Sequence, residues 1–152
     1  MDVIRAGDGN NIIDTGDGDD LVVVGNGNNF ISAGVGNDVI KVVSSTGSDT
    51  IDAGAGNDTI YTGAGTNKIN AGAGDDTIHL KAGAGVDTLL VNSGSGNDNV
   101  SGANTGDKVT SSMSSTSVNS DGNTVVTFVD GSTVTLVGVN VVDHIGNDYF
   151  IS

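Results

Sequence analysis

The sequence predicts an all-β fold: a right-handed parallel solenoid with two nine-residue units per coil, closed at its C-terminal end by an antiparallel hairpin. Two observations predict the solenoid. A nonapeptide frame recurs ten times between Ala6 and Ser101. In every copy position 4 is Gly, position 6 is Asp or Asn, and position 8 is Ile, Val or Leu. A third predicts the hairpin: beyond residue 110 the frame gives way to two alternating runs around an Asp-Gly pair. A short fixed period is the signature of a stacked repeat and precedes any assignment of single strands.

The units begin at Ala6, Thr15, Val24, Ala33, Ser44, Ala53, Thr62, Ala71, Ala82 and Ser93. Two-residue insertions, Val42-Val43, Leu80-Lys81 and Val91-Asn92, interrupt the frame without shifting its internal order. Asp2 to Arg5 read as the tail of an earlier unit, and Gly102 to Thr110 as a degenerate one. This opening in mid-unit reads as a chain cut from a longer protein. Position 2 is Gly in every unit but one, where Ser45 stands. The two Gly permit positive φ and a tight turn, and the position-6 residue ends that turn. Positions 7 to 9, as in Thr59-Ile60-Tyr61, alternate polar-apolar-polar, a very short strand with one side chain inward. Strand, turn, return strand and turn make one coil, and coils stack about 4.8 Å apart as parallel strands.

Charge gives the turns their chemistry. The chain of 152 residues carries a net charge of −14, has 25 Gly, no Pro and no Cys, and contains no Glu at all. Asp beside Gly and Asn points to short carboxylates held in turns. The acidity argues against nucleic acid and anionic membranes as partners. No segment has the length of a membrane span, no cleavable signal follows Met1, and disulfides and thiolate metal sites are absent.

Stacking places the position-6 residues in two files, one per edge. One file is Asp2, Asp20, Asp38, Asp58, Asp76 and Asp98; the other is Asn11, Asn29, Asp49, Asn67, Asp87 and Asp107. Neighbouring carboxylates about 5 Å apart repel by roughly 1 kcal/mol in water and by several at an effective dielectric near 20. With only one inward apolar residue per unit, the coil needs a counter-charge. A hard dication that takes 6 to 8 oxygens in flexible geometry answers the need, which favours calcium over the small, octahedral magnesium. The all-Asp file is therefore expected to hold a near-complete row of calcium ions. The mixed file should be sparse, with occupancy centred between Asp87 and Asp107, since an Asn oxygen brings no charge. Asp17, Asp19 and Asp75 read mainly as solvated turn residues.

The frame, repeated in units such as Ala53-Gly54-Ala55-Gly56-Asn57-Asp58-Thr59-Ile60-Tyr61, resembles the Gly-Gly-x-Gly-x-Asp-x-U-x nonapeptide of RTX proteins, U being a large apolar residue. The likeness spans roughly residues 2 to 110; position 1 departs from it, being Ala, Thr, Val or Ser. It implies a parallel β-roll with calcium held between turns of neighbouring coils. The implied ligands are the position-6 carboxylates and turn carbonyls, carried here by Gly16, Gly18, Gly34, Gly36, Gly54, Gly56, Gly72, Gly74, Gly83, Gly85, Gly94 and Gly96. It also implies export by a type I secretion system to the extracellular space or bacterial surface.

Residues 111 to 152 are expected to cap the roll within the same structural unit. Ser111 to Ser120 reads as loop or weak strand. Thr124 to Val129 and Ser132 to Val137, joined by Asp130-Gly131, carry the strongest short hairpin signal, and Asp121-Gly122 offers a further turn. An open solenoid end exposes strand edges, so a distinct cap is required. Gly146 to Ile151 look like a last half-unit, and also resemble the C-termini of type I secreted proteins.

Catalytic patterns are missing. There is no HExxH, and His79 and His144 are read as surface residues. There is no GxSxG, no phosphate loop, and no Glu for an EF-hand. The expected function is a non-enzymatic calcium-binding roll, extended where calcium is scarce and folding outside the cell by mass action. A second reading, from another class, is a calcium-rigidified recognition module for polysaccharide, ice or a cell surface. Position 3, which runs Asp8, Asp17, Asn26, Val35, Thr46, Ala55, Ala64, Ala73, Ala84 and Ser95, is not the Thr array that ice would need. A third is a folding aid to an upstream catalytic or adhesive domain.

Overall fold

A computed structural model describes residues 1–43, 47–81, 85–91, 94–110, 113–139, 142–145 and 148–151, with backbone alone for 113–114, 142–145 and 148–151. No helix occurs among them. The strands of the repeats are β1 Val3–Arg5, β2 Ile12–Asp14, β3 Leu21–Val24, β4 Phe30–Val35, β5 Val39–Val42, β6 Thr50–Ala55, β7 Thr59–Tyr61, β8 Lys68–Ala73, β9 Thr77–His79, β10 Thr88–Leu90, β11 Asn97–Ser101 and β12 Lys108–Thr110. Odd-numbered strands fall in one sheet and even-numbered strands in the other, all paired parallel. The chain thus makes a parallel solenoid of about five coils, as the two-unit coil predicts.

Register follows the repeat and absorbs the insertions. Ile40 pairs with Val22 on one side and Ile60 on the other, and Ile51 with Ile31 and Ile69. Position 8 is buried throughout, with Ile31, Ile40, Ile60, Ile69 and Ile78 fully enclosed. A one-residue slip would turn this row to solvent, so burial pins the register.

The core is larger than one inward residue per unit. A second row, at position 1, also points inward: Val24, Ala33, Ala53, Thr62 and Ala71 are buried. The first residue of each insertion, Val42, Leu80 or Val91, is buried as well, while Val43 and Lys81 face solvent. The insertions therefore continue the in-out alternation. The short strand of positions 7 to 9 is in effect a longer one whose next inward residue belongs to the following unit.

The C-terminal residues extend both sheets with strands that pair antiparallel to one another. They are β13 Met113–Val118, β14 Thr124–Phe128, β15 Thr133–Leu136, β16 Val142–Ile145 and β17 Asp148–Ile151. The hairpin of β14 and β15 turns at Asp130-Gly131, where Gly131 has φ 91° and its N–H donates to the Phe128 carbonyl at 3.0 Å. β15 lies parallel on β11, and β13 adds the outermost strand, so the Ser/Thr-rich stretch is partly a strand. In the other sheet β17 lies antiparallel on β12, with β16 beyond it. The tail is thus no half-unit of the roll, which would pair parallel; Gly146 and Asn147 lie outside the described residues. No helix among the described residues is long and apolar enough to cross a membrane.

Candidate metal-binding edges

Each edge is built by one turn per coil. In the turn before β7, Gly54 and Gly56 have φ of 110° and 133°. A Cβ on either would overlap the carbonyl oxygen of Gly34 or Gly36 in the coil below. Only glycine lets the turns stack this closely, and close stacking brings successive position-6 side chains within reach.

The reach is made through the backbone. The N–H of Asp20 donates to Asp38 Oδ1 at 2.7 Å, that of Asp38 to Asp58 Oδ1 at 2.7 Å, that of Asp58 to Asp76 Oδ1 at 2.8 Å, and that of Asp76 to Asp98 Oδ1 at 3.1 Å. The Asp2 N–H donates to Asp20 in the same way, although Asp2 itself is exposed on the terminal coil. Asp20, Asp38, Asp58, Asp76 and Asp98 are each at most 3 % exposed. The file expected from the repeat is therefore continuous, with one oxygen of each carboxylate used.

The other oxygen is left over. Oδ2 of Asp20, Asp38, Asp58, Asp76 and Asp98, and of Asp49 on the second edge, is buried without a hydrogen-bond partner. A buried carboxylate oxygen with no donor carries a desolvation penalty that a native fold does not leave uncompensated. Burial, with repulsion from Asp76 and Asp38, pushes the Asp58 carboxyl up to about 7. Burial, with the charges of Asp76 and Asp75, does the same to Asp98, also about 7. Asp76 rises to about 6, through burial and then Asp75. Asp38 is raised mainly by burial. At the terminal coil Asp20 is lowered instead, first by the Asp2 N–H, and the Met1 amino group lies 3.5 Å from its Oδ1.

Among the described residues no three His or Asp side chains converge as a metal cluster. An ion here would take much of its coordination from main-chain oxygens, which suits a hard, oxygen-seeking cation and excludes a soft-metal site. The orphaned Oδ2 atoms lack a positive partner, which a hard dication would supply.

The RTX calcium-binding nonapeptide repeat, described as four copies, matches residues 1–31, 17–41 and 43–78, just over half of the chain. The chain belongs to the RTX calcium-binding repeat family. A search of curated proteins found no match. The RTX repeat is a structural calcium-binding module rather than a catalytic family, which agrees with the missing catalytic patterns.

On the second edge of the RTX roll the same backbone links recur. Asn11, Asn29, Asp49, Asn67 and Asp87 donate in turn to Oδ1 of Asn29, Asp49, Asn67, Asp87 and Asp107 at 2.7–3.1 Å. Asp87 is pushed to about 6 by burial, then by Asp107. Asp107 Oδ2 accepts the Asn104 N–H at 2.7 Å, so the degenerate unit satisfies itself locally. Of the turn glycines, Gly16, Gly18, Gly34, Gly36, Gly72, Gly74, Gly85, Gly94 and Gly96 all share the positive φ of Gly54 and Gly56. Gly83 lies outside the described residues.

Two features escaped the sequence reading. Position 5 forms its own ladder in the opposite sense: Asp19, Asn37, Asn57 and Asp75 each accept, through Oδ1, the N–H of the position-5 residue one coil on, at 2.7–2.9 Å. Consecutive N–H groups of extended backbone point opposite ways, so positions 5 and 6 brace opposite neighbours. The signal was present, since seven of ten units have Asp or Asn at position 5. The second is the Asn side chain: its oxygen accepts a backbone N–H, and its amide nitrogen faces the turn. His79 is half-buried and stacked on Tyr61 with centroids 4.6 Å apart, its Nδ1 2.7 Å from Ser101 Oγ. The side chain of His144 lies outside the described residues.

Proposed function

We propose that residues 1–110 form a calcium-binding roll that folds on meeting extracellular calcium, and that residues 111–152 cap it within the same unit. The observation that carries this is the file of five buried carboxylates, each with Oδ2 unpartnered. Asp20, Asp38, Asp58, Asp76 and Asp98 would hold the ions through these oxygens. The turn carbonyls at positions 2 and 4 would complete the shell, with Asp49, Asp87 and Asp107 serving the second edge. Calcium supplies two positive charges and accepts a large, adaptable set of oxygens. The chain's part is to hold the carboxylates in line, fix one oxygen of each on a neighbouring N–H, and aim the other into the turn.

Without that counter-charge the buried files oppose folding, and the chain stays extended. Such a state suits passage through a type I secretion channel from a calcium-poor cytosol to the cell exterior or surface, where millimolar calcium matches the weak sites of extracellular modules. Binding the folded state alone then drives folding. In this reading the roll is not an enzyme but a folding device, able to serve a catalytic or adhesive domain. Far-ultraviolet circular dichroism during a calcium titration at neutral pH tests it. The expected result is a cooperative gain of β signal. Full β signal in excess chelator at the same pH would sink the reading.

A further inference from the structure

The two edges solve the same electrostatic problem by different means. Asn67, 1 % exposed, accepts the Asp49 N–H on Oδ1 at 3.0 Å. Its Nδ2 then donates to Asp87 Oδ1 at 2.9 Å and to the Gly63 carbonyl, position 2 of its own turn, at 3.3 Å. Asn29 Nδ2 donates to Asp49 Oδ1 at 2.8 Å and points at the carbonyls of Gly25 and Gly27 at 3.5 and 3.4 Å. Asn11 Nδ2 meets Asn29 Oδ1 at 2.8 Å and the carbonyls of Gly7 and Gly9 at 3.1 and 3.0 Å. The amide orientation is forced. Reversed, Asn67 would set its oxygen against Asp87 Oδ1 and Gly63 O, and its nitrogen against the Asp49 N–H.

An Asp in this setting, with Oδ1 on the same backbone N–H, places Oδ2 where Asn places Nδ2. That is the unpartnered atom of the all-Asp file. One point in the turn, ringed by oxygens of its own coil and of the next, thus holds an acceptor on one edge and a donor on the other. We infer that the side-chain amides of Asn11, Asn29 and Asn67 are built-in substitutes for calcium. They close their coil-to-coil steps without metal and bar an ion from those points. This rests on the calcium reading above and extends it: calcium dependence is assigned step by step, by whether position 6 is Asp or Asn.

The test is a charge swap in both directions on the full chain. Asn67→Asp replaces the amide by a carboxylate of nearly the same shape; Asp58→Asn does the reverse. Bound calcium is counted by equilibrium dialysis against calcium chloride, and folding is followed by circular dichroism at saturating calcium. The expected outcome is that N67D binds one ion more than the parent and needs more calcium to fold. D58N should bind one ion fewer and fold at lower calcium. Should N67D fail to fold, N29D and D58N give the same count. A parent that binds calcium, with N67D binding the same number, overturns the amide inference alone. A parent that binds none overturns the calcium reading itself.

Discussion

Glycine is the residue on which stacking depends, and its copies are not equivalent. Gly54 and Gly16 occupy the same position 2, and both have positive φ. A Cβ at Gly54 meets the Gly34 carbonyl oxygen, whereas one at Gly16 meets nothing within 4 Å. Gly54→Ala should therefore cost well over about 1 kcal/mol, from strain plus overlap, and Gly16→Ala only the strain. Melting of the two variants at saturating calcium checks the order; equal losses would mean that stacking is looser than the structure shows. The inward residues added by the insertions give a second comparison. Leu80→Ala, at a position with no place in the nonapeptide frame, should cost about 2–5 kcal/mol, as much as Ile60→Ala within the frame. A loss under about 1 kcal/mol at Leu80 would show that the insertions lie outside the core.

At the scale of the element, the Asp file behaves as a unit coupled to protons. Burial raises Asp58 and Asp98 to about 7 and Asp76 to about 6, from an ordinary 3.8. A folded-state pKa above the unfolded value means that the folded chain holds the proton more tightly. Protonation then favours the calcium-free roll fully below about 3.8, and that help is lost as pH rises through 6 to 7. Calcium-depleted protein should gain β signal as pH falls from about 7 toward 4. Apparent calcium affinity should fall over the same range, because protons and calcium compete for the same oxygens. Circular dichroism in calcium-depleted buffer at both ends of this range decides it. A calcium-free roll that unfolds on acidification would contradict the assigned direction.

The whole molecule is a one-dimensional stack with a distinct end. Parallel coils present unpaired edges, and both sheets continue into C-terminal strands rather than into further repeats, β15 joining β11 in parallel and β17 joining β12 antiparallel. Val134, fully buried in β15, pairs with Asp98 of β11. Val134→Asp should raise the calcium midpoint for folding of the entire roll, because in a stacked array an end defect propagates through neighbour contacts. An unchanged midpoint would show that the roll folds independently of the C-terminal strands.

The sequence by itself determined the period, the coil of two units, the membership of each file and the hairpin at Asp130-Gly131. These depend on side-chain type at fixed spacing, and spacing survives in one dimension. It did not show that Val42, Leu80 and Val91 point inward, because an insertion's direction depends on the coil it rejoins. Nor did it show that the tail pairs antiparallel, since strand direction is set by which edge is free. The division of labour between Asp and Asn was legible only as a loss of charge. That the Asn amide turns its nitrogen toward the carbonyls that would hold an ion was decided by the tertiary structure. The neighbouring coil's N–H takes Oδ1, and what remains of the side chain, an orphaned oxygen or a donating nitrogen, follows from that one contact.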